Sequence, residues 1–342
     1  MAPELIRTQS EPLHSSSHAV RKDKSLVRKY SSSRRLSLIL LPTEQCNFRC
    51  VYCYEDFDIG RMRPEVVEGV KNLLLARGPE LKFLGLSWFG GEPLMAYDIV
   101  LDIMHLANRV AANGNFVLSS NMTTNMSLLT RERLDALTAL RVSHYQVSFD
   151  GDKPYHDTMR LRADKRGTFD QLWGRLEDAH LSNATFTMDI RVHVTTQNAQ
   201  SVESLIERLA KLLRADGRFR LWIRPLSRFG GANDALLPIL SDAEKPWLNP
   251  GDVVNELRAK AKGKRLILND LVSEVCYATK LNTFLVRSDG RLAKCTVALN
   301  NTVGRLLPDG TMEIDPNKAK WWSRGLVSRD RNQLACPLYG SL

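Results

Sequence analysis

The sequence predicts an α/β protein, a partial barrel of about six β/α units followed by a small C-terminal domain. Three observations carry this reading. Short apolar runs alternate with helix-periodic segments between residues 36 and 235. A polar stretch punctuated by Gly and Pro then ends the alternation. Beyond residue 265 the pattern changes to hairpin-like alternation around Gly and Asp turns.

The elements follow in order. Residues Leu36 to Leu41 form a β-type apolar run closed by Pro42, and Val66, Val67, Val70, Leu73, Leu74 and Leu75 then recur at helical spacing. A second strand is expected from Phe83 to Phe89 and a helix from Ile99 to Val110. The next pairs are a strand at Asn115 to Ser120 with a helix at Leu128 to Leu140, and a strand at Tyr145 to Phe149 with a helix at Phe169 to Ala179. A strand near Phe186 to Val194, a helix at Val202 to Leu213 and a strand at Phe219 to Ile223 complete the alternation. Parallel strands joined by crossover helices give this pattern, and about six units suit a partial barrel rather than a closed one of eight. Gly230-Gly231 and the stretch to Pro250 mark the exit, with a short helix at Val253 to Ala261. The expected organisation is a basic, Ser-rich disordered tail over 1–35, the partial barrel over 36–235, a linker and helix over 236–264, and the appended domain over 265–342.

Composition bounds the function. The 342 residues are 43% apolar and 25% charged, which excludes a wholly disordered chain. No apolar run is long enough to span a membrane. Six cysteines are too few and too uneven for a disulfide scaffold, and no secretory pattern precedes the first strand, so the expected compartment is the reducing cytoplasm. The net charge of +10 is carried by residues 1–35 and 276–342 in equal shares, leaving the body neutral. A nucleic-acid groove in the body would carry a basic excess there, so the distribution argues against nucleic acid as partner. The basic ends suit an acidic peptide segment.

Cys46, Cys50 and Cys53 form a CxxxCxxC cluster directly after the first strand, with Tyr52 before the last cysteine. Three thiols within eight residues cannot all pair as disulfides, but on one loop they can face one metal centre. Three thiolates on a four-iron cluster leave one iron open to a small molecule. A zinc site completed by a distant His, or three unrelated free thiols, are the competing readings. Position favours the first, because active sites of parallel barrels form at the C-terminal ends of strands.

At these residues the chain resembles the radical S-adenosylmethionine (SAM) enzymes, whose hallmark CxxxCx(aromatic)C is matched by Cys46, Cys50, Tyr52 and Cys53. The resemblance implies a partial (β/α)6 barrel and a [4Fe–4S] cluster whose open iron binds the amino and carboxylate groups of SAM. It also implies reductive cleavage of SAM to methionine and a 5′-deoxyadenosyl radical that abstracts a substrate hydrogen, with an electron donor of flavodoxin or ferredoxin type. The cofactor supplies the hard chemistry while the protein orients it.

Gly90-Gly91-Glu92-Pro93, after the second strand, is similar to the family segment that binds the SAM amino group. Glycines admit close backbone approach, and a carboxylate accepts hydrogen bonds from an ammonium. Thr124-Asn125 resembles the family's Thr-Asn-Gly-Thr segment, with Met126 in place of the usual glycine. Val147-Ser148-Phe149-Asp150-Gly151, followed by His156, Arg160 and Gly167-Thr168-Phe169, is similar to a pattern of peptide-modifying members. There Ser148 would contact the SAM ribose and Arg160 its carboxylate, a task suited to a guanidinium. Turn and cap bonding is an equal reading for Asp150 and His156.

Cys276, Cys295 and Cys336 lie in the appended section, which resembles the SPASM/twitch extensions that bind auxiliary [4Fe–4S] clusters. Three cysteines rather than about seven imply at most one auxiliary cluster or a shortened extension. Cys336-Pro337 also occurs in ferredoxin-type ligand runs. The resemblance as a whole implies an enzyme that modifies a precursor peptide or protein, by crosslinking or another C–H functionalisation. The alternatives are formylglycine formation of the sulfatase-maturase kind, radical chemistry on a small molecule or RNA, and, from another class, a zinc-binding interaction protein. No catalytic base is identifiable.

Overall fold

The structure is a computed structural model that describes residues 28, 30–214, 216–240, 251–269 and 275–338. Most of the expected tail, residues 241–250 of the linker and the last four residues lie outside the described residues.

The strands run β1 (Arg35–Leu40), β2 (Phe48–Cys50), β3 (Phe83–Trp88), β4 (Val117–Thr123), β5 (Val142–Phe149), β6 (Arg160–Arg162), β7 (Thr187–Val194) and β8 (Phe219–Pro225). They continue as β9 (Thr283–Val286), β10 (Arg291–Ala293), β11 (Thr302–Leu306) and β12 (Met312–Ile314). Between and after them lie α1 (Pro64–Arg77), α2 (Tyr97–Gly114), α3 (Arg131–Ala139), α4 (Lys153–Met159), α5 (Phe169–His180), α6 (Ala199–Leu213) and α7 (Asp252–Gly263). The chain closes with the short helices α8 (Pro316–Trp322), α9 (Arg324–Ser328) and α10 (Arg331–Ala335).

The order β1-β3-β4-β5-β7-β8 is parallel throughout. Such strands must be covered on both faces, and their sequences show it. In β1, Leu36, Leu38 and Leu40 are all buried, and Ile39 from the other face is buried as well. The crossover helices supply the cover through one apolar stripe each. In α6, Val202, Leu205, Ile206, Leu209, Ala210 and Leu213 recur at three- and four-residue steps and are all buried. Each large member of such a stripe contributes about 1.5–3 kcal/mol on burial.

The section beyond residue 265 continues the barrel sheet. β9 lies parallel to β1 with Leu38 opposite Phe284, and β10, β11 and β12 follow antiparallel, giving ten strands in one sheet. Phe284, Leu285 and Val286 of β9 are buried, and the strand's backbone covers the edge that β1 would otherwise expose. Several short elements were not expected from sequence, among them β2, β6, α4 and the closing helices α8 to α10. The three-residue strands β2 and β6 pair antiparallel, with Cys50 opposite Arg160. Helix α4 is capped by Asp152, whose carboxylate accepts from the Tyr155 N–H.

Candidate functional site

The C-terminal ends of the parallel strands surround one open pocket. Cys46, Cys50 and Cys53 line it, as do Gly90, Gly91, Asn125, Ser148 and Arg160, from five different segments of the chain. The cysteines sit on the loop after β1 that β2 anchors, the glycines on the turn after β3, Asn125 just after β4 and Ser148 near the end of β5. Topology collects the cysteines, the glycines, Asn125 and Ser148, because each lies where a parallel strand ends, and the antiparallel pairing of β6 with β2 brings Arg160 beside Cys50.

The cysteine loop is held from several sides. Asn125 Nδ2 donates to Cys46 Sγ at 3.6 Å and to Asn47 Oδ1 at 2.8 Å, while the Phe48 N–H donates to Cys46 Sγ at 3.3 Å. Gly91 packs under the loop so tightly that a Cβ there would lie 2.3 Å from the Gln45 carbonyl oxygen and 2.9 Å from the Cys46 nitrogen. Only glycine permits this approach. Burial pushes the Cys46 and Cys53 thiols up to about 12; the Glu92 charge adds to it at Cys46, whereas at Cys53 the Glu55 backbone hydrogen bond opposes it and the Glu55 charge adds to it. Burial also raises Cys50, although the nearby Arg160 cation opposes it.

Glu92 and Pro93 do not line the pocket. Glu92, expected from sequence to reach SAM, is fully buried and committed elsewhere. Its carboxylate accepts from Leu94 N (3.0 Å), Thr124 Oγ1 (2.8 Å) and Asn125 N (2.7 Å). It caps the turn after β3 and fixes the Thr124-Asn125 segment, so its side chain positions Asn125 from behind. Next to it Met126 adopts φ +72°, the left-handed conformation its glycine-bearing counterparts suit. A non-glycine residue there costs roughly 1–2 kcal/mol. Complete burial of the Met126 side chain, at about 1.5–3 kcal/mol, offsets that cost.

Arg160 is buried, and its Nη1 donates to the Tyr52 hydroxyl at 2.6 Å. Tyr52 in turn donates to Asp150 Oδ2 at 2.7 Å, and His193 Nδ1–H donates to Asp150 Oδ1 at 2.8 Å. Burial works against the Asp150 carboxylate, yet His193 and then Arg160 hold it well below the usual range. His156 faces away from the pocket lining: its Nε2 meets Thr168 Oγ1 at 3.0 Å and its Nδ1 accepts from the Asp150 N–H at 3.3 Å. It is a completely buried packing residue, and burial lowers it to about 4 with Arg160 adding to the effect.

Sequence reasoning missed Glu55, Arg191 and His193, which also line the pocket. Burial raises Glu55 to about 8, and its Oε2 has no hydrogen-bond partner. Arg191 and His193 share one face of β7, a period-2 signal readable in Thr187–Val194 but unremarkable without the fold.

The residues fit a multi-iron cluster better than one ion. Among the described residues no three His, Cys, Asp or Glu side chains converge on a point suited to a single metal ion. The three thiols instead border a pocket, with the Asn125 amide directed at the Cys46 sulfur and the Arg160 cation beside Cys50. Sulfur donors with polar hydrogen-bonding neighbours are the donor set of iron–sulfur centres.

Cys276, Cys295 and Cys336 also come together, far in sequence but beside one another around β9 and β10. Cys276 precedes the turn at Tyr277–Thr279, and its N–H donates to the Leu334 carbonyl at 2.7 Å, which brings the α10 segment and Cys336 near. The Tyr277 hydroxyl reaches Cys295 Sγ at 3.8 Å. Burial, with the other two thiols adding to it, pushes Cys276 up to about 11.

A parallel barrel sheet with three loop cysteines at its mouth defines a radical SAM domain. Residues 40–209 match the Radical SAM superfamily, and over them the chain belongs to that family. Its relatives include a PqqA peptide cyclase of Rhodopseudomonas palustris, 29% identical over 216 residues, which are 61% of this chain and 52% of that protein. The chain thus spans about half the length of this curated relative. Among solved structures, anSMEcpe with bound AdoMet and Kp18Cys peptide shares the fold with a TM-score of 0.61 at 20% identity, over 84% of this chain and 80% of that one. SuiB of Streptococcus suis bound to precursor peptide SuiA gives 0.57 at 14% identity, over 90% and 71%. Among the described residues no helix is long and apolar enough to cross a membrane.

Proposed function

We propose that this chain is a radical SAM enzyme that modifies a ribosomally made precursor peptide. The observation that carries the reading is the convergence of Cys46, Cys50 and Cys53 with Gly90, Gly91, Asn125, Ser148 and Arg160 on one pocket. The peptide cyclase named among its relatives supports the peptide as substrate class. Cys46, Cys50 and Cys53 would hold a [4Fe–4S] cluster, which with SAM supplies the 5′-deoxyadenosyl radical that abstracts a substrate hydrogen. The remaining work falls to the chain. The Gly90-Gly91 backbone and Asn125 orient the amino acid end of SAM, and Ser148 contacts its ribose. Arg160 gives a fixed positive charge beside Cys50, which favours an anionic group there. Glu92 keeps Asn125 in place without touching ligand.

Cys276, Cys295 and Cys336 would hold one auxiliary cluster, with a fourth ligand from solvent or substrate. A flavodoxin- or ferredoxin-type protein would deliver the electron, in the cytoplasm. A second reading, formylglycine formation, is favoured by the buried Glu55 carboxyl, whose Oε2 lacks a partner in the pocket.

The test is anaerobic reconstitution with iron and sulfide, followed by dithionite and SAM. The expected result is a brown protein that releases 5′-deoxyadenosine, with both properties lost in Cys46→Ala, Cys50→Ala and Cys53→Ala. An intact cluster that releases none would refute the reading. Co-expression with a precursor peptide separates the two alternatives by the mass change on the product.

A further inference from the structure

The inner faces of β7 and β8 pair residue by residue: Asp189 opposite Arg220, Arg191 opposite Trp222, and His193 opposite Arg224. At the inner end the pairing is satisfied, since Arg220 Nε donates to Asp189 Oδ1 at 2.8 Å. One step further out it is not. Arg191 lines the pocket with its guanidinium 5.2 Å from the centre of the Trp222 ring, and its Nε is buried without a hydrogen-bond partner. No ion pair engages it among the described residues. Asp150, the carboxylate whose charge acts on it, has both oxygens occupied by His193 and Tyr52. Trp222 offers the cation a π face, worth about 0.5–2 kcal/mol, but a face does not satisfy the in-plane N–H donors. A half-buried cation whose Nε is buried without a partner is costly, so the site is suited to an anion that arrives from outside. The planar edge of a guanidinium matches a carboxylate through two parallel hydrogen bonds. Tyr54 and Phe229, packed edge to face with centroids 5.7 Å apart, border the same pocket and give the entering group an apolar wall.

We propose that Arg191, backed by Trp222, is a specificity-determining residue that binds a carboxylate of the peptide substrate, an Asp or Glu side chain near the residue to be modified. The inference rests on the peptide-modifying reading and names the substrate feature that reading leaves open. It assigns the second cation of the pocket to substrate and leaves Arg160 to the cysteine side.

Binding tests it without turnover. The cluster-loaded protein with SAM is titrated by calorimetry with two synthetic peptides, Ac-Gly-Ser-Glu-Ser-Gly-amide and its Gln counterpart. A charge-assisted pair at a buried site predicts about tenfold or greater preference for the Glu peptide. Arg191→Gln should abolish the preference and Arg191→Lys retain part of it, with SAM affinity unchanged in both. Equal affinity of the wild-type protein for the two peptides, or no binding of either, overturns the proposal without reference to any variant. A weakened SAM affinity in Arg191→Lys also overturns it, since the arginine would then serve the cofactor. Release of 5′-deoxyadenosine without peptide is measured in parallel: its absence counts against the radical SAM reading, whereas its presence with no Glu preference counts against this inference alone.

Discussion

Replacing Arg287 with Met should unfold the protein more readily and loosen the cysteine loop, although Arg287 lies about 240 residues from Cys46 along the chain. Arg287 and Glu44 are each about 2% exposed and form a buried ion pair across the β1–β9 junction. Arg287 Nε donates to both carboxylate oxygens (3.3 and 3.1 Å), and Nη2 donates to Oε2 at 2.6 Å. Arg287 Nη1 is fixed by Asn300 Oδ1 at 2.7 Å, and Glu44 Oε1 also accepts from the Ser288 N–H at 3.0 Å. Removing the cation leaves Glu44 buried with only the Ser288 donor. Loss of one member of such a pair costs about 3–5 kcal/mol, whereas loss of both is far milder. Urea unfolding of Arg287→Met, Glu44→Gln and the double variant gives the coupling energy directly. The expected coupling exceeds about 2 kcal/mol, with the double variant more stable than Arg287→Met. Because Glu44 stands two residues before Cys46, Arg287→Met should also bind less iron on reconstitution. A coupling near zero, or Arg287→Met as stable as wild type, would show that the C-terminal strands do not brace the loop.

Gly91→Ala places a Cβ 2.3 Å from the Gln45 carbonyl oxygen, so it should cost about 1–3 kcal/mol in urea unfolding and lower iron uptake; unchanged values would mean the loop yields freely. His156, held near 4 by burial and Arg160, is neutral in the folded protein while the unfolded chain takes a proton near 6.5. Its contribution is complete above that value and declines as pH falls from 6.5 towards 4, by up to about 3 kcal/mol. Stability curves of wild type and His156→Gln should therefore diverge least at low pH, and parallel curves would remove His156 from the acid response. Cys336→Ala should keep 5′-deoxyadenosine release but lose the iron of the auxiliary cluster; full iron retention would make Cys336 an ordinary buried thiol.

The local pattern of the chain was enough for the six parallel barrel strands and for the cysteine loop, though not for the short strands β2 and β6. Apolar runs such as Leu36 to Leu41 and Phe83 to Phe89 can satisfy both faces only inside a covered parallel sheet, and CxxxCxxC places three thiols on one loop at any fold. Gly90-Gly91 and Asn125 were legible for the same reason, since each follows a strand directly. What the sequence could not decide depends on residues that meet only when the chain closes. Glu92 reads as a ligand contact, but the fold turns it into a brace for Thr124 and Asn125. Residues 265–342 read as an appended domain, yet β9 continues the sheet beside β1, because that strand's free edge needs a partner. The Arg191 Nε left without a partner appears only once β7 and β8 lie in register and Asp150 is taken by His193 and Tyr52. Spacing along the chain determines short-range donors and periodic burial; long-range pairing determines which charges stay unsatisfied, and those are what a pocket offers to a ligand.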